Sequence, residues 1–148
     1  MEERMMALAL EQARLALAAG EIPVGAVIAR GDAVIAAAHD RGELDRDPTA
    51  HAEVVAIRQA ARALGGRRLT GCTLYVTLEP CPMCAGAIAM ARLGEVVFGA
   101  YDPRAGCCGS LYALTEDAAF GAVIPSSGGL LEDECRAVLE RFFAEKRG

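Results

Sequence analysis

Glu79-Pro80-Cys81-Pro82-Met83-Cys84 sets two cysteines three positions apart, with a proline on either side of the first. Its flanks fix its setting. Cys72 to Leu78 is a β-branched and aromatic run that predicts a strand, and Ala85 to Arg92 predicts a helix. Pro82 suits the first helical position, where a missing N–H costs nothing. Cys81 and Cys84 then lie i, i+3 around a helix N-terminus, whose unpaired N–H groups and dipole favour thiolate over thiol. That geometry suits two zinc ligands, but it is only half of a site.

The other half stands upstream, at Thr49-Ala50-His51-Ala52-Glu53, where a second helical pattern opens (Val54, Ile57, Ala61, Leu64). His51 supplies a third ligand. Positions i and i+2 point about 200° apart inside a regular helix, so His51 and Glu53 converge only at a helix start. There the imidazole binds while Glu53 faces an open fourth position. Three protein ligands and a water is the arrangement of catalytic zinc. Two plainer readings compete. A Cys-x-x-Cys beside an α/β pattern also serves redox chemistry, and a histidine opening a helix is often a cap or a packed residue. A thiol oxidoreductase is separated by metal analysis. A non-catalytic zinc module needs a fourth protein ligand and has no use for Glu53.

With 148 residues, 53% hydrophobic and 24% charged, the chain is expected to form one domain, 1–148, with a real core. No stretch reaches the ~18 apolar residues of a membrane helix, and the start, Met1-Glu2-Glu3-Arg4, is acidic where a signal peptide is basic. A cytoplasmic location follows as an expectation. Cys72, Cys107, Cys108 and Cys135 read as small buried residues in a reducing compartment. The net charge of −5 argues against indiscriminate polyanion binding, DNA included, although a local basic patch survives within an acidic total.

Along the chain, Met5 to Ala19 is an amphipathic helix with Met6, Leu10, Ala13 and Leu17 on one stripe. Ile22 to Ala29 and Ala33 to Ala38 form a hairpin around Arg30-Gly31-Asp32. His39 to Pro48 is a polar loop. After the two helices at His51 and Cys81, Val96 to Ala100 is a strand and Tyr101 to Gly109 a Gly/Pro loop at its C-terminal end, where ligands of open α/β sheets sit. Leu111 to Leu114 reads as a short helix and Ala122 to Ile124 as a short fifth strand. Glu132 to Lys146 reads as a last helix with Cys135, Val138, Leu139, Phe142 and Phe143 facing inward. The order predicts an α/β protein, one mixed sheet with helices on both faces.

His-x-Glu followed by Pro-Cys-x-x-Cys is the signature of the zinc deaminases. The blocks around it, Ile22-Pro23-Val24-Gly25-Ala26-Val27, Asp47 to Glu53, Leu74 to Cys81, Met83 to Ala87 and Val96 to Ala100, continue the likeness over nearly the whole chain. The sequence resembles the cytidine-deaminase-like superfamily and, within it, the bacterial tRNA-specific adenosine deaminases. The resemblance implies a three-layer α-β-α fold with a five-stranded sheet, a homodimer, one zinc per chain, and conversion of adenosine to inosine at the wobble position of a tRNA anticodon loop. Carried over residue by residue, His51, Cys81 and Cys84 hold zinc and Glu53 shuttles the proton. Asp102 and Arg104 contact the nucleotide or its flanking phosphate, and Pro23, Val24 and Leu78 line the base pocket.

Three departures bear on RNA recognition rather than on the chemistry. The family's substrate-touching asparagine, eleven residues before the ligand histidine, is replaced by Asp40. An amide donates and accepts, whereas an ionised carboxylate only accepts, so Asp40 facing a purine ring nitrogen needs a proton, a water or another direction. Phe120-Gly121-Ala122 stands where the family often has Phe-Asn-His, and the last residues given are Lys146-Arg147-Gly148, where some members carry a longer basic tail. Wobble adenosine in tRNA is the first expectation for substrate. A free nucleobase or nucleoside is the alternative, favoured by Asp40 and the acidic balance.

Overall fold

The computed structural model describes residues 1–121 and 123–147, apart from the side chain of Arg147. In chain order the elements are α1 (Glu2–Ala18), β1 (Gly25–Arg30), β2 (Ala33–His39), α2 (Ala52–Leu64), β3 (Thr73–Leu78), α3 (Pro82–Ala91) and β4 (Glu95–Ala100). Two 3-10 turns, Leu114–Glu116 and Ala118–Phe120, then lead to β5 (Ser126–Ser127) and α4 (Glu132–Arg147). The strands form a five-stranded mixed sheet in the order β2-β1-β3-β4-β5. β1 runs antiparallel to β2 and β3, while β4 is parallel to β3 and β5 parallel to β4. Parallel neighbours need a crossover, and α3 supplies it between β3 and β4.

Strand periodicity divides the core. Ala26 and Ile28 of β1, with Leu74 and Val76 of β3, enter one apolar cluster together with Ala56 of α2 and Ile88 of α3. Val27, Ala29 and Tyr75 point the other way, into a cluster with Met5, Met6 and Ala13 of α1 and Cys135 of α4. The result is the α-β-α sandwich that the sequence predicts. Contact between α1 and the sheet is close: a Cβ on Gly25 would lie 1.9 Å from the Ala9 carbonyl oxygen, so only a hydrogen fits there. Cys72, Cys107, Cys108 and Cys135 are buried. No helix among the described residues is long and apolar enough to cross a membrane.

Several boundaries differ from the sequence reading, each for a local reason. β1 starts at Gly25 rather than Ile22, because this strand is paired on both sides and Pro23 cannot donate to a ladder. The fifth strand is Ser126–Ser127 instead of Ala122–Ile124. Its ladder begins where Val96 N–H reaches the Pro125 carbonyl at 2.9 Å, beyond the proline's own missing donor; Ala122 lies outside the described residues. The short helix expected over Leu111–Leu114 is displaced to the two 3-10 turns. α3 closes on Arg92, in the left-handed region at φ 58°, rather than at Gly94. Phe143 is 49% exposed and does not face inward.

Candidate active site

Both helices that face the site begin on a residue that does not cap them. His51 is the N-cap of α2 and Cys81 that of α3, each with extended backbone and no side-chain hydrogen bond to its helix. Pro82 occupies the first position of α3, as its rigid φ predicts. The freed side chains turn toward one another. The sulfurs of Cys81 and Cys84 lie 3.6 and 3.5 Å from His51 Nδ1, and the three ligand atoms all fall within 4.8 Å of each other. Zinc–nitrogen and zinc–sulfur bonds meeting at the tetrahedral angle separate N from S by about 3.6 Å. The donor set therefore fits a tetrahedral metal ion and leaves a position over.

In the metal-free chain these groups hold protons among themselves. The Cys81 thiol is lowered to about 4 by the hydrogen bond from Cys84 and then by His51, against the opposing pull of burial. His51 is raised to about 9, first by its hydrogen bond to Cys81 and then, against burial, by Glu53 and Asp40. Cys84, sharing a hydrogen with Cys81 and buried, is pushed far up. Metal binding must displace the protons on His51 and Cys84.

Glu53 is in the first turn of α2 and buried, and burial raises its carboxyl to about 7. It borders a hollow of about 180 Å³ whose wall also holds His51, Cys81, Val24, Asp40, Leu78 and Asp102. Pockets for drug-sized ligands measure roughly 300–1,000 Å³, so this space suits one flat ring. A second hollow, about 630 Å³, shares Leu78 and Asp102 with the first and adds Tyr101, Arg104 and Phe143. Arg104 thus lies beside the ring-sized space rather than on its wall. Pro23 is buried under the entrance of β1 and borders neither hollow, whereas its neighbour Ile22 borders both.

Asp40, 7% exposed, accepts a 2.9 Å hydrogen bond from Gly42 N–H. Burial holds its carboxyl above the usual range, with the Gly42 donor and His51 opposing. Asp102 spends one oxygen on its own loop, accepting from the N–H groups of Arg104 and Ala105 at 3.0 and 3.2 Å. Two further carboxylates escaped the sequence reading. Glu21, 1% exposed, accepts from Glu43 and Leu44 N–H at 3.0 and 2.7 Å and so fixes the loop that follows Asp40. Glu79, 2% exposed, receives hydrogen bonds from Asp102, Cys108 and Ser110. Burial opposes its charge, yet these donors hold its carboxyl below the usual range.

The chain is similar to known proteins in both sequence and fold. The MafB19-like deaminase family model matches residues 1–124. The tRNA-specific adenosine deaminase of Bacillus subtilis is 46% identical over 146 residues, 99% of this chain and 91% of that one. A solved structure from work on A-to-I editing by tRNA:A34 deaminases at the wobble position of transfer RNA superposes with a TM-score of 0.89 at 42% identity. It covers 92% of this chain and 99% of its own. Guanine deaminase from Nitrosomonas europaea gives 0.83 at 28% identity, covering 96% of this chain and 84% of that one. With relatives alike over nearly its full length and a family model over most of it, the chain belongs to the MafB19-like deaminases and to the tRNA-specific adenosine deaminase family.

Proposed function

We propose that this chain is a hydrolytic deaminase that converts adenosine to inosine at the wobble position of a tRNA anticodon loop. His51, Cys81 and Cys84 hold one zinc, and Glu53 moves the proton. The observation that carries the chemistry is a buried carboxylate sharing a ring-sized hollow with His51 and Cys81, two of the three residues that can hold a metal. Zinc, when bound, lowers the pKa of a water toward about 7 and so supplies the nucleophile at neutral pH. With the metal in place, Glu53 would carry one proton of the attacking water to the ring nitrogen beside the amino-bearing carbon as the oxygen bonds to that carbon. It would then carry the proton left on that oxygen to the amino nitrogen, so that the C–N bond breaks, the C=O bond forms and ammonia leaves. An anticodon loop offers its base already unpaired, so little unstacking energy is needed.

The test is incubation of the zinc-loaded protein with an anticodon stem-loop and, in parallel, with free adenine, guanine and cytosine. Inosine in the stem-loop is expected. Ammonia from free bases alone would move the assignment to the second reading, a free-base deaminase, which Asp40 favours because its carboxylate accepts where an amide donates. Glu53→Ala is expected to retain one zinc per chain and make inosine at background rate; near-wild-type turnover in it would end this mechanism.

The proposal extends to one domain over 1–148, a cytoplasmic location and a homodimer. α2 and α3 present an apolar groove, Val54, Ile57, Ala61, Ala87 and Met90, with Met90 82% exposed. Arg58, Arg67, Arg68 and Arg92 rim it. On the other flank of α3, the 3-10 turns add exposed Phe120, Glu116 and Asp117. A two-fold axis near α3 would lay the arginines of each copy on the acids of its partner, the self-complementary pattern of an isologous interface.

A further inference from the structure

We infer that Glu79 is a positioning residue for the substrate side of this site, an inference that rests on the deaminase reading above. It stands at the exit of β3, two residues before the ligand Cys81, and its own N–H bonds to the Ala100 carbonyl at 2.9 Å. Its carboxylate points into the loop after β4 and gathers donors from both ends of it. Oε1 accepts from Asp102 N–H at 3.0 Å and from the Ser110 hydroxyl, and Oε2 accepts from Cys108 N–H at 3.0 Å and Ser110 N–H at 2.9 Å. The loop closes over it tightly: a Cβ on Gly106 would lie 2.4 Å from the carboxyl carbon. Cys107 N–H adds a 2.8 Å bond to the Pro80 carbonyl.

The loop is thus keyed to the turn that carries the ligand thiol. The residues it presents, Asp102 and Arg104, border the two hollows. Glu79 sets the distance between the reacting centre and the wall that meets the rest of the substrate, without itself touching the reacting atoms. All its partners are donors, so the position demands an acceptor-only group. Glutamine would turn an NH₂ toward N–H groups and leave donors unpaired.

The test compares wild type, Glu79→Gln and Glu79→Asp as zinc-loaded full-length proteins on an anticodon stem-loop. Glu79→Gln is expected to keep one zinc per chain and a kcat within about threefold, with KM raised at least about tenfold, because a displaced loop leaves polar contacts to the bound substrate unmade while the reacting centre stays in place. Asp102→Ala, costly in the wild type, should cost little more in the Glu79→Gln background, the non-additivity of two residues acting through one contact. Amide exchange at Asp102, Cys108 and Ser110 should quicken in Glu79→Gln while exchange in α2 stays unchanged. Glu79→Asp, an acceptor on a shorter stem, should recover part of the KM. If Glu79→Gln does not fold, Ser110→Ala removes the hydroxyl donor to Oε1, keeps the backbone donor to Oε2, and is expected to raise KM about two- to threefold. Unchanged KM, additive losses, or a fall in kcat and zinc together with KM intact would each overturn the assignment. If the wild type makes no inosine, the deaminase reading has failed on this substrate, and the exchange rates alone decide whether Glu79 holds the loop.

Discussion

Glu53 is held neutral-to-charged by burial, and that has a thermodynamic signature at the scale of one residue. Its folded carboxyl titrates near 7 against an ordinary 4.5. A raised value means that its contribution to stability is fully present below the unfolded value and is lost as the pH climbs through 7. Metal-free Glu53→Gln is therefore expected to match wild type near pH 4 and to exceed it by roughly 3 kcal/mol at pH 8. Thermal melts at the two pH values measure this, and equal gaps would sink it. Asp40 carries the companion expectation. Its burial favours the neutral form, which donates, and rising pH removes that donor. Asp40→Asn keeps the acceptor for Gly42 N–H and restores a permanent donor. Activity on the stem-loop should rise about tenfold, within the 1–3 kcal/mol of an unpaired buried group, and the advantage over wild type should widen with pH. A ratio flat across pH would show that the Asp40 side chain does not meet the base.

Elements here are placed by contacts too close to allow an extra atom. Gly25→Ala forces α1 off β1, since the new methyl meets the Ala9 carbonyl, and a loss of at least about 1–3 kcal/mol is expected in urea unfolding. The same α1 carries Glu21 beyond its end, so the loop after Asp40 should lose amide protection in that variant as well. How far the sequence revealed the elements depended on where their signal lies. The ligand set was legible because His51, Cys81 and Cys84 each sit at the start of a helical pattern, and the sheet has to bring those helix starts to one edge. The order of helices and strands likewise announced a sheet covered on both faces, although not which residues fill each side. Glu79 was visible only as a letter in the motif. Three of its four donors are backbone N–H groups 23 to 31 residues away, which leave no mark in residue type, and the fourth is the hydroxyl of one serine 31 residues on. β5 was misplaced because two serines carry no β pattern of their own; the neighbouring strand pairs them.

For the whole molecule, Met90→Asp is the variant that probes association. It puts a charge in the centre of the arginine-rimmed groove without touching either hollow at the ligand set. Sedimentation should then give a 15.5 kDa monomer where wild type gives twice that mass. Persistence of the dimer would place the two-fold contact elsewhere. One further consequence belongs to the helix starts. Serine, threonine or aspartate at an N-cap contributes about 1 kcal/mol by satisfying the first amides, and α2 and α3 forgo it by beginning on His51 and Cys81. A metal ion clamping those two residues would do the work of both missing caps. Chelation should therefore fray α2 and α3 from their first turns inward, and because the groove around Met90 is built on the same two helices, a chelator would loosen the pairing of subunits as well as stop the reaction.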